Sequence, residues 1–168
     1  TEDFKDYQFV IAGAPSQEEE FYFPFIKKKN VHLVMNKTYD ILGIATAALV
    51  TSGTATLETA LFKVPEVVCY KGNFISYQIA KRVIKLDYIS LVNLIMVREV
   101  VKELIQSDVD RKNLKRELSK ILSVPTREKM LSDYYELEKK RGGVGATDKT
   151  ARLVYDKNPS EKEGAERA

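Results

Sequence analysis

The residues best placed to do chemistry lie in one short stretch, Thr51-Ser52-Gly53-Thr54-Ala55-Thr56-Leu57-Glu58. Small and hydroxylated side chains around a glycine leave backbone N–H groups open at a helix start. Together with the positive end of the helix dipole, these seat an anion, most often a phosphate. Thr54 and Glu58 stand at i and i+4, on one face of a helix. A single ligand could therefore meet a hydroxyl near its phosphate and a carboxylate near a sugar hydroxyl. A plain helix start with a solvated glutamate has the same composition, so the context must decide.

That context is a strand, a turn and a helix. The apolar run Ala47-Ala48-Leu49-Val50 precedes the stretch, and Leu57, Ala60, Leu61 and Val64 follow at i, i+3, i+4 and i+7. Similar runs recur along the chain. Tyr7 to Ala12 reads as a first buried strand, Gly13 to Ser16 as a turn with Ser16 as N-cap, and Gln17 to Lys29 as a helix that Pro24 should bend or interrupt. Val31 to Met35 reads as a strand, Thr38 to Ala45 as a short helix, and Val67 to Tyr70 as a strand after Pro65. Short, near-continuous apolar strands alternating with helices predict an α/β fold, a parallel sheet with helices on both faces.

The second half reads as mostly helical. Phe74 to Lys85, Arg98 to Gln106, Asp110 to Leu122 and a segment from Pro125 through Arg141 carry core-spaced apolar residues. Gly142 to Gly145 should end the last of these, ahead of a short helix from Ala146 to Tyr155 and a polar tail. The expected division is residues 1–122 as the sheet domain, 123–155 as C-terminal helices, and 156–168 as a disordered tail.

Bulk properties exclude several classes. The 168-residue chain is long enough for one domain with a real core. Its 27 basic and 24 acidic residues give a formal net charge of +3, too balanced to imply nucleic acid. Cys69 is the only cysteine, so no intrachain disulfide or cysteine zinc site can form, and no metal or cofactor is expected. His32, the only histidine, stands at a strand start, where a structural role fits better than catalysis. No apolar stretch reaches the roughly 18 residues that suggest a membrane span. Neither is a signal peptide visible, and a cytoplasmic setting is expected.

Further along, the ordered series Ser52-Gly53-Thr54-Ala55-Thr56-Leu57-Glu58, Pro65-x-Val67-Val68-x-Tyr70, Ala80-Lys81-Arg82, Lys85-x-Asp87 to Leu94 and Arg98-Glu99-x-Val101 to Gln106 closely resembles the lipid-A-disaccharide synthase family. The resemblance is close over residues 47–106 and looser on either side. It implies the C-terminal, UDP-sugar-binding half of a GT-B glycosyltransferase, with two Rossmann-like domains in the whole. The implied reaction joins UDP-2,3-diacylglucosamine to 2,3-diacylglucosamine 1-phosphate with inversion and release of UDP. The acceptor domain with its general base, and the first strand and Gly-Ser-Arg turn of this half, would precede Thr1. The chain alone is therefore expected to be inactive, with no catalytic residue of its own.

Under that resemblance Ser52, Gly53 and Thr54 would cradle the diphosphate and Glu58 would accept from the ribose hydroxyls. Asn93, an isolated amide in an apolar run, would reach the donor sugar or phosphate; a turn amide serving local backbone is the alternative. On the helix expected over Arg98–Gln106, Glu99, Glu103 and Gln106 would share a face, and Arg98 and Gln106 would join the site. Phe74, Tyr77, Lys81, Arg82 and Lys85 combine aromatic and basic groups that could touch an anionic membrane, or form a solvated helix side. The expected setting is peripheral, at the inner face of the inner membrane, with a lipid acceptor bound through the absent domain and a homodimer open. Two other classes compete. A UDP-N-acetylglucosamine 2-epimerase has a similar turn, but the residues from Asp87 to Asn93 argue against it. A flavodoxin- or receiver-like module would need acids after the first strand, where none occurs.

Overall fold

The structure is a computed structural model, and it describes residues 3–51, 53–72 and 88–140. Ser52, the expected helix Phe74–Lys85 with Phe74, Tyr77, Lys81, Arg82 and Lys85, and everything expected beyond Lys140 lie outside the described residues.

The order is β1 (Phe9–Gly13), β2 (Val31–Met35), α1 (Thr38–Ile44), β3 (Ala48–Thr51), α2 (Thr54–Leu61), β4 (Glu66–Tyr70), α3 (Leu91–Met96), β5 (Lys102–Ile105), α4 (Arg111–Leu122) and α5 (Val124–Lys140). Every strand pairing is parallel. The fold is α/β and Rossmann-like, with parallel sheets flanked by helices. Among the described residues the strands make two sheets, β1–β2 and β3–β4–β5. A cavity of about 310 Å³ has Phe9 of β1 and Leu49 of β3 in its walls, with Leu114 and Leu118 of α4.

The core belongs to the three-stranded sheet. Val67 and Val68 of the central β4 are fully buried, and Val92, Leu104, Ile121 and Tyr134 pack around them from α3, β5, α4 and α5. Asp110 caps α4, accepting the Asn113 N–H at 2.7 Å. No helix among the described residues is long and apolar enough to cross a membrane.

Two expected elements are replaced. The helix expected over Gln17–Lys29 is instead a pair of 3₁₀ turns, Glu19–Phe21 and Phe23–Phe25. Pro24 has no N–H to donate and disfavours helical geometry at Phe23, so the segment stays in tight single turns. Ser16 caps nothing there, since the residue preceding the first turn is Glu18.

The helix expected over Arg98–Gln106 is strand β5. Val97 ends α3 in the left-handed region at φ 55°. The Asn93 side chain then takes the N–H groups of Val100 at 2.7 Å and Val101 at 3.0 Å, and its Nδ2 takes the Val101 carbonyl at 2.8 Å, an acceptor that a helix would use for the Ile105 N–H. Residues Lys102–Ile105 meet the free edge of β4, with Val67 opposite Lys102 and Tyr70 opposite Ile105. Glu103 and Leu104 therefore project to opposite faces, and the shared face of Glu99, Glu103 and Gln106 does not exist.

Candidate functional site

β3 ends at Thr51 and α2 begins at Thr54, with Gly53 between them as N-cap at φ 132° and ψ −158°. A Cβ at Gly53 would meet nothing within 4 Å, so the backbone angle, not crowding, calls for glycine. No side chain among the described residues caps α2. The Thr56 N–H donates back to the Gly53 carbonyl at 3.3 Å, and the N–H groups of Thr54 and Ala55, without a bond among the described residues, face solvent or a ligand at the carboxyl edge of the sheet. Thr56 and Thr59 are buried and turn inward; their hydroxyls donate to the carbonyls of Gly53 and Ala55, each at 2.8 Å. Thr54 is exposed and free to face the edge. Glu58 follows one turn later, half-buried, its Oε1 accepting the Tyr39 hydroxyl at 3.3 Å.

Gln106 arrives at the same edge. It follows β5 directly and adopts φ 53°, a left-handed conformation uncommon outside glycine. Its buried Nε2 has no hydrogen-bond partner among the described residues. The register places Thr51 opposite Cys69 and Tyr70 opposite Ile105, so the Gly53 turn and Gln106 share the carboxyl edge with the end of β4 between them. Cys69 sits there half-buried, with burial raising its thiol to about 11, which leaves it protonated and unreactive at neutral pH.

Asn93 and Arg98 are brought elsewhere. Asn93 is fully buried, and its amide is used in full. Nδ2 donates to the Val101 carbonyl at 2.8 Å and to Glu103 Oε1 at 3.0 Å, while Oδ1 accepts from Val100 and Val101. This is the local-backbone arrangement, and it lies at the amino end of β5, opposite the Gly53 turn. Arg98 is committed to α5, its Nη2 donating to Asp133 at 2.9 Å and Glu136 at 2.8 Å. The bond to Asp133, then that to Glu136, holds the guanidinium more firmly protonated than usual.

Sequence reasoning missed two carboxylates. Ser90 caps α3, its hydroxyl accepting the Asn93 N–H at 3.2 Å, and Glu103 sits at the same helix start, accepting the N–H groups of Ile89 at 3.0 Å and Ser90 at 2.9 Å, where the helix dipole favours negative charge. The helical reading of its segment hid this role. Glu66, at the start of β4, is fully buried and both its oxygens lack a partner among the described residues. Burial raises its carboxyl well above the ordinary range. Nothing in Pro65-Glu66-Val67 signals that. His32 shares a 2.9 Å hydrogen bond with Gln8. No cluster of His, Cys, Asp and Glu among the described residues is arranged to hold a metal ion.

The carboxyl edge thus offers a helix start that no described side chain caps, a carboxylate able to accept hydroxyls, and a primary amide without a partner among the described residues. It sits at β3, where the three-stranded sheet stops and the β1–β2 pair stands apart. In open α/β sheets such a switch point is where ligands bind. These groups suit a nucleoside diphosphate: phosphate at the amides, ribose hydroxyls at the carboxylate.

The family described as lipid-A-disaccharide synthetase matches residues 1–154. The chain is 37% identical over 155 residues to a lipid-A-disaccharide synthase of Syntrophus aciditrophicus, covering 90% of this chain and 40% of the relative. It is 31% identical over 158 residues to that of Geobacter sulfurreducens, covering 92% and 41%. With that of Myxococcus xanthus it shares 33% over 155 residues, covering 90% and 40%. The chain spans about 40% of the length of these curated relatives.

Proposed function

The chain belongs to the lipid-A-disaccharide synthetase family, and from that premise we propose that it is the donor-nucleotide-binding portion of a glycosyltransferase of lipid A biosynthesis. The whole enzyme would transfer a diacylglucosamine from UDP-2,3-diacylglucosamine to 2,3-diacylglucosamine 1-phosphate, releasing UDP with inversion. In this reading the acceptor and the general base are held outside this chain. Its own task is to hold UDP and to stabilise the diphosphate as it departs.

One observation carries the reading: the uncapped start of α2 behind Gly53, with Glu58 one turn on, lies at the switch point of two parallel sheets. The α2 amides, with Ser52 and Thr54, would bind the diphosphate. Charge building on the leaving phosphate strengthens those bonds in the transition state, which is how fixed dipoles accelerate such a step. Glu58 would accept from the ribose hydroxyls. Gln106, with its unpartnered Nε2, would donate to a phosphate or sugar oxygen.

The domain reading follows from the same seam. Residues 1–122 would be a truncated Rossmann-like domain, and one further parallel strand would fit between β1 and β3. That gives the order β2–β1–new strand–β3–β4–β5, the doubly wound arrangement of dinucleotide-binding sheets. The apolar cavity between Phe9 and Leu49 supports it. The turn after that strand would form the second wall of the diphosphate site. Both substrates carry acyl chains, which favours action at the inner face of the inner membrane, with Phe74, Tyr77, Lys81, Arg82 and Lys85 as the contact. Sedimentation with anionic vesicles that survives charge reversal of Lys81, Arg82 and Lys85 would count against that contact.

The nucleotide site is tested by NMR titration of UDP into the protein. Shifts should concentrate at the amides of Gly53, Thr54 and Glu58. Glu58→Ala should weaken binding by about 1–3 kcal/mol, the cost of a lost charged hydrogen-bond partner. Unchanged UDP affinity in Glu58→Ala, or shifts confined to the amino edge near Asn93, would sink the assignment.

A further inference from the structure

We infer that Tyr39 is a positioning residue for the nucleotide's ribose: its hydroxyl holds the Glu58 carboxylate in the orientation that accepts the ribose hydroxyls. The inference rests on the reading of Glu58 as the ribose acceptor and adds a residue from a different helix. Glu58 and Phe62 stand at i and i+4 and share a face of the α2 segment, the Phe62 N–H bonding the Glu58 carbonyl at 3.0 Å. Tyr39, in the first turn of α1, lies across both. Its ring is parallel to Phe62, with centroids 5.6 Å apart and planes at 4°. Its hydroxyl donates to Glu58 Oε1 at 3.3 Å.

The two contacts divide the work. An offset parallel stack fixes the ring plane and so the direction of the phenol C–O bond. The hydroxyl then fixes one oxygen of a carboxylate that would otherwise rotate about its last torsion, which is broad and two-fold. A carboxylate has about four acceptor positions, and the tyrosine occupies one. The rest stay open for a vicinal diol, and no other side chain among the described residues bonds Glu58. Tyr39 is 58% exposed, so burial does not explain its placement. Its two contacts do.

The test compares UDP with 2′,3′-dideoxyuridine diphosphate by NMR titration, for the wild-type protein and for Tyr39→Phe, Glu58→Gln and Phe62→Leu. Wild type should prefer UDP. Tyr39→Phe should cut that preference by about 2- to 10-fold, the range of one hydrogen bond, and leave affinity for the dideoxy compound unchanged. A merely structural tyrosine would weaken both ligands equally, which would overturn the inference. So would a wild-type preference in Tyr39→Phe when Glu58→Gln has lost it, and that result would leave the nucleotide reading standing. No preference in the wild type would overturn the ribose reading and this inference together. Phe62→Leu keeps the hydroxyl and frees the ring. If Tyr39→Phe does not fold, a reduced preference in Phe62→Leu supports the inference and an unreduced one overturns it.

Discussion

The three-stranded sheet and the two-stranded sheet are built from the same kind of apolar run, yet they end in different states. In β4, Glu66, Val67 and Val68 are fully buried, because strands pair on both sides and helices cover both faces. In β1 exposure alternates along the strand, and Val10 stays 40% exposed. An apolar run specifies a strand; its neighbours decide how deeply it is buried. The finished side also wires its polar groups, with Asn93 and Glu103 meeting backbone partners at every turn. The side facing the β1–β2 pair leaves apolar walls at Phe9 and Leu49. The candidate site lies on the seam, where a rigid turn borders an open edge.

The sharpest way to break this comparison is Asn93→Ala. It removes four hydrogen bonds at a fully buried position and strands the Val100 and Val101 N–H groups, the Val101 carbonyl and part of the Glu103 carboxylate. The expected cost is about 3–5 kcal/mol, from several unsatisfied groups at about 1–3 kcal/mol each. Urea denaturation should show the midpoint collapse, while Glu58→Ala leaves it in place. A stable Asn93→Ala protein that lost only UDP affinity would return Asn93 to the ligand site.

Glu66 tests the finished side from the other direction, because it is the polar group that packing leaves unserved. The Tyr134 hydroxyl on α5 lies beside it, itself without a well-formed partner, and Asp133 adds negative charge nearby. The folded state therefore holds a proton that the unfolded chain releases at an ordinary carboxylate pKa. Stability from this group is largest at low pH. It declines as pH rises through the ordinary carboxylate range towards the folded value. Glu66→Met, similar in volume, should be about 1–3 kcal/mol more stable at neutral pH. Its urea midpoints at pH 5 and pH 8 should lose that decline. An identical pH profile in the two proteins would mean that Glu66 finds a partner in solution.

What could be read from the sequence divides along similar lines. The first four strands were legible because each is a short apolar run bounded by glycine, proline or polar residues. The Gly53 turn was legible because its parts are contiguous. β5 was not: Val97, Val100, Val101, Leu104 and Ile105 have helical spacing, and the group that overrules it is Asn93, eight residues before Val101. That one error moved Arg98 towards the site and hid Glu103 as the carboxylate that bonds the start of α3. The segment after Ser16 misled for a local reason: Pro24 was read as bending or interrupting one helix, whereas the whole segment keeps only two 3₁₀ turns. Tyr39 carried no signal, because Glu58 is 19 residues away and only the stack of Tyr39 on Phe62 and the hydrogen bond itself join them.

The smallest effect belongs to Leu49. It points to the seam and is 47% exposed, so Leu49→Ala removes little buried area and leaves no closed void. The expected loss is under about 1 kcal/mol, against the 1.5–3 kcal/mol of a fully buried leucine side chain. The same truncation in an enclosed core costs about 2–5 kcal/mol, because the vacated volume stays empty. A measured loss in that upper range would mean that something covers the seam in solution, either a strand in the gap or a second copy. Sedimentation equilibrium then separates the two: a second copy makes the loss depend on protein concentration, and a strand from the same polypeptide does not. A small loss keeps β3 as the boundary of the packed half and leaves the wall beside the Gly53 turn open to the strand that would complete the sheet.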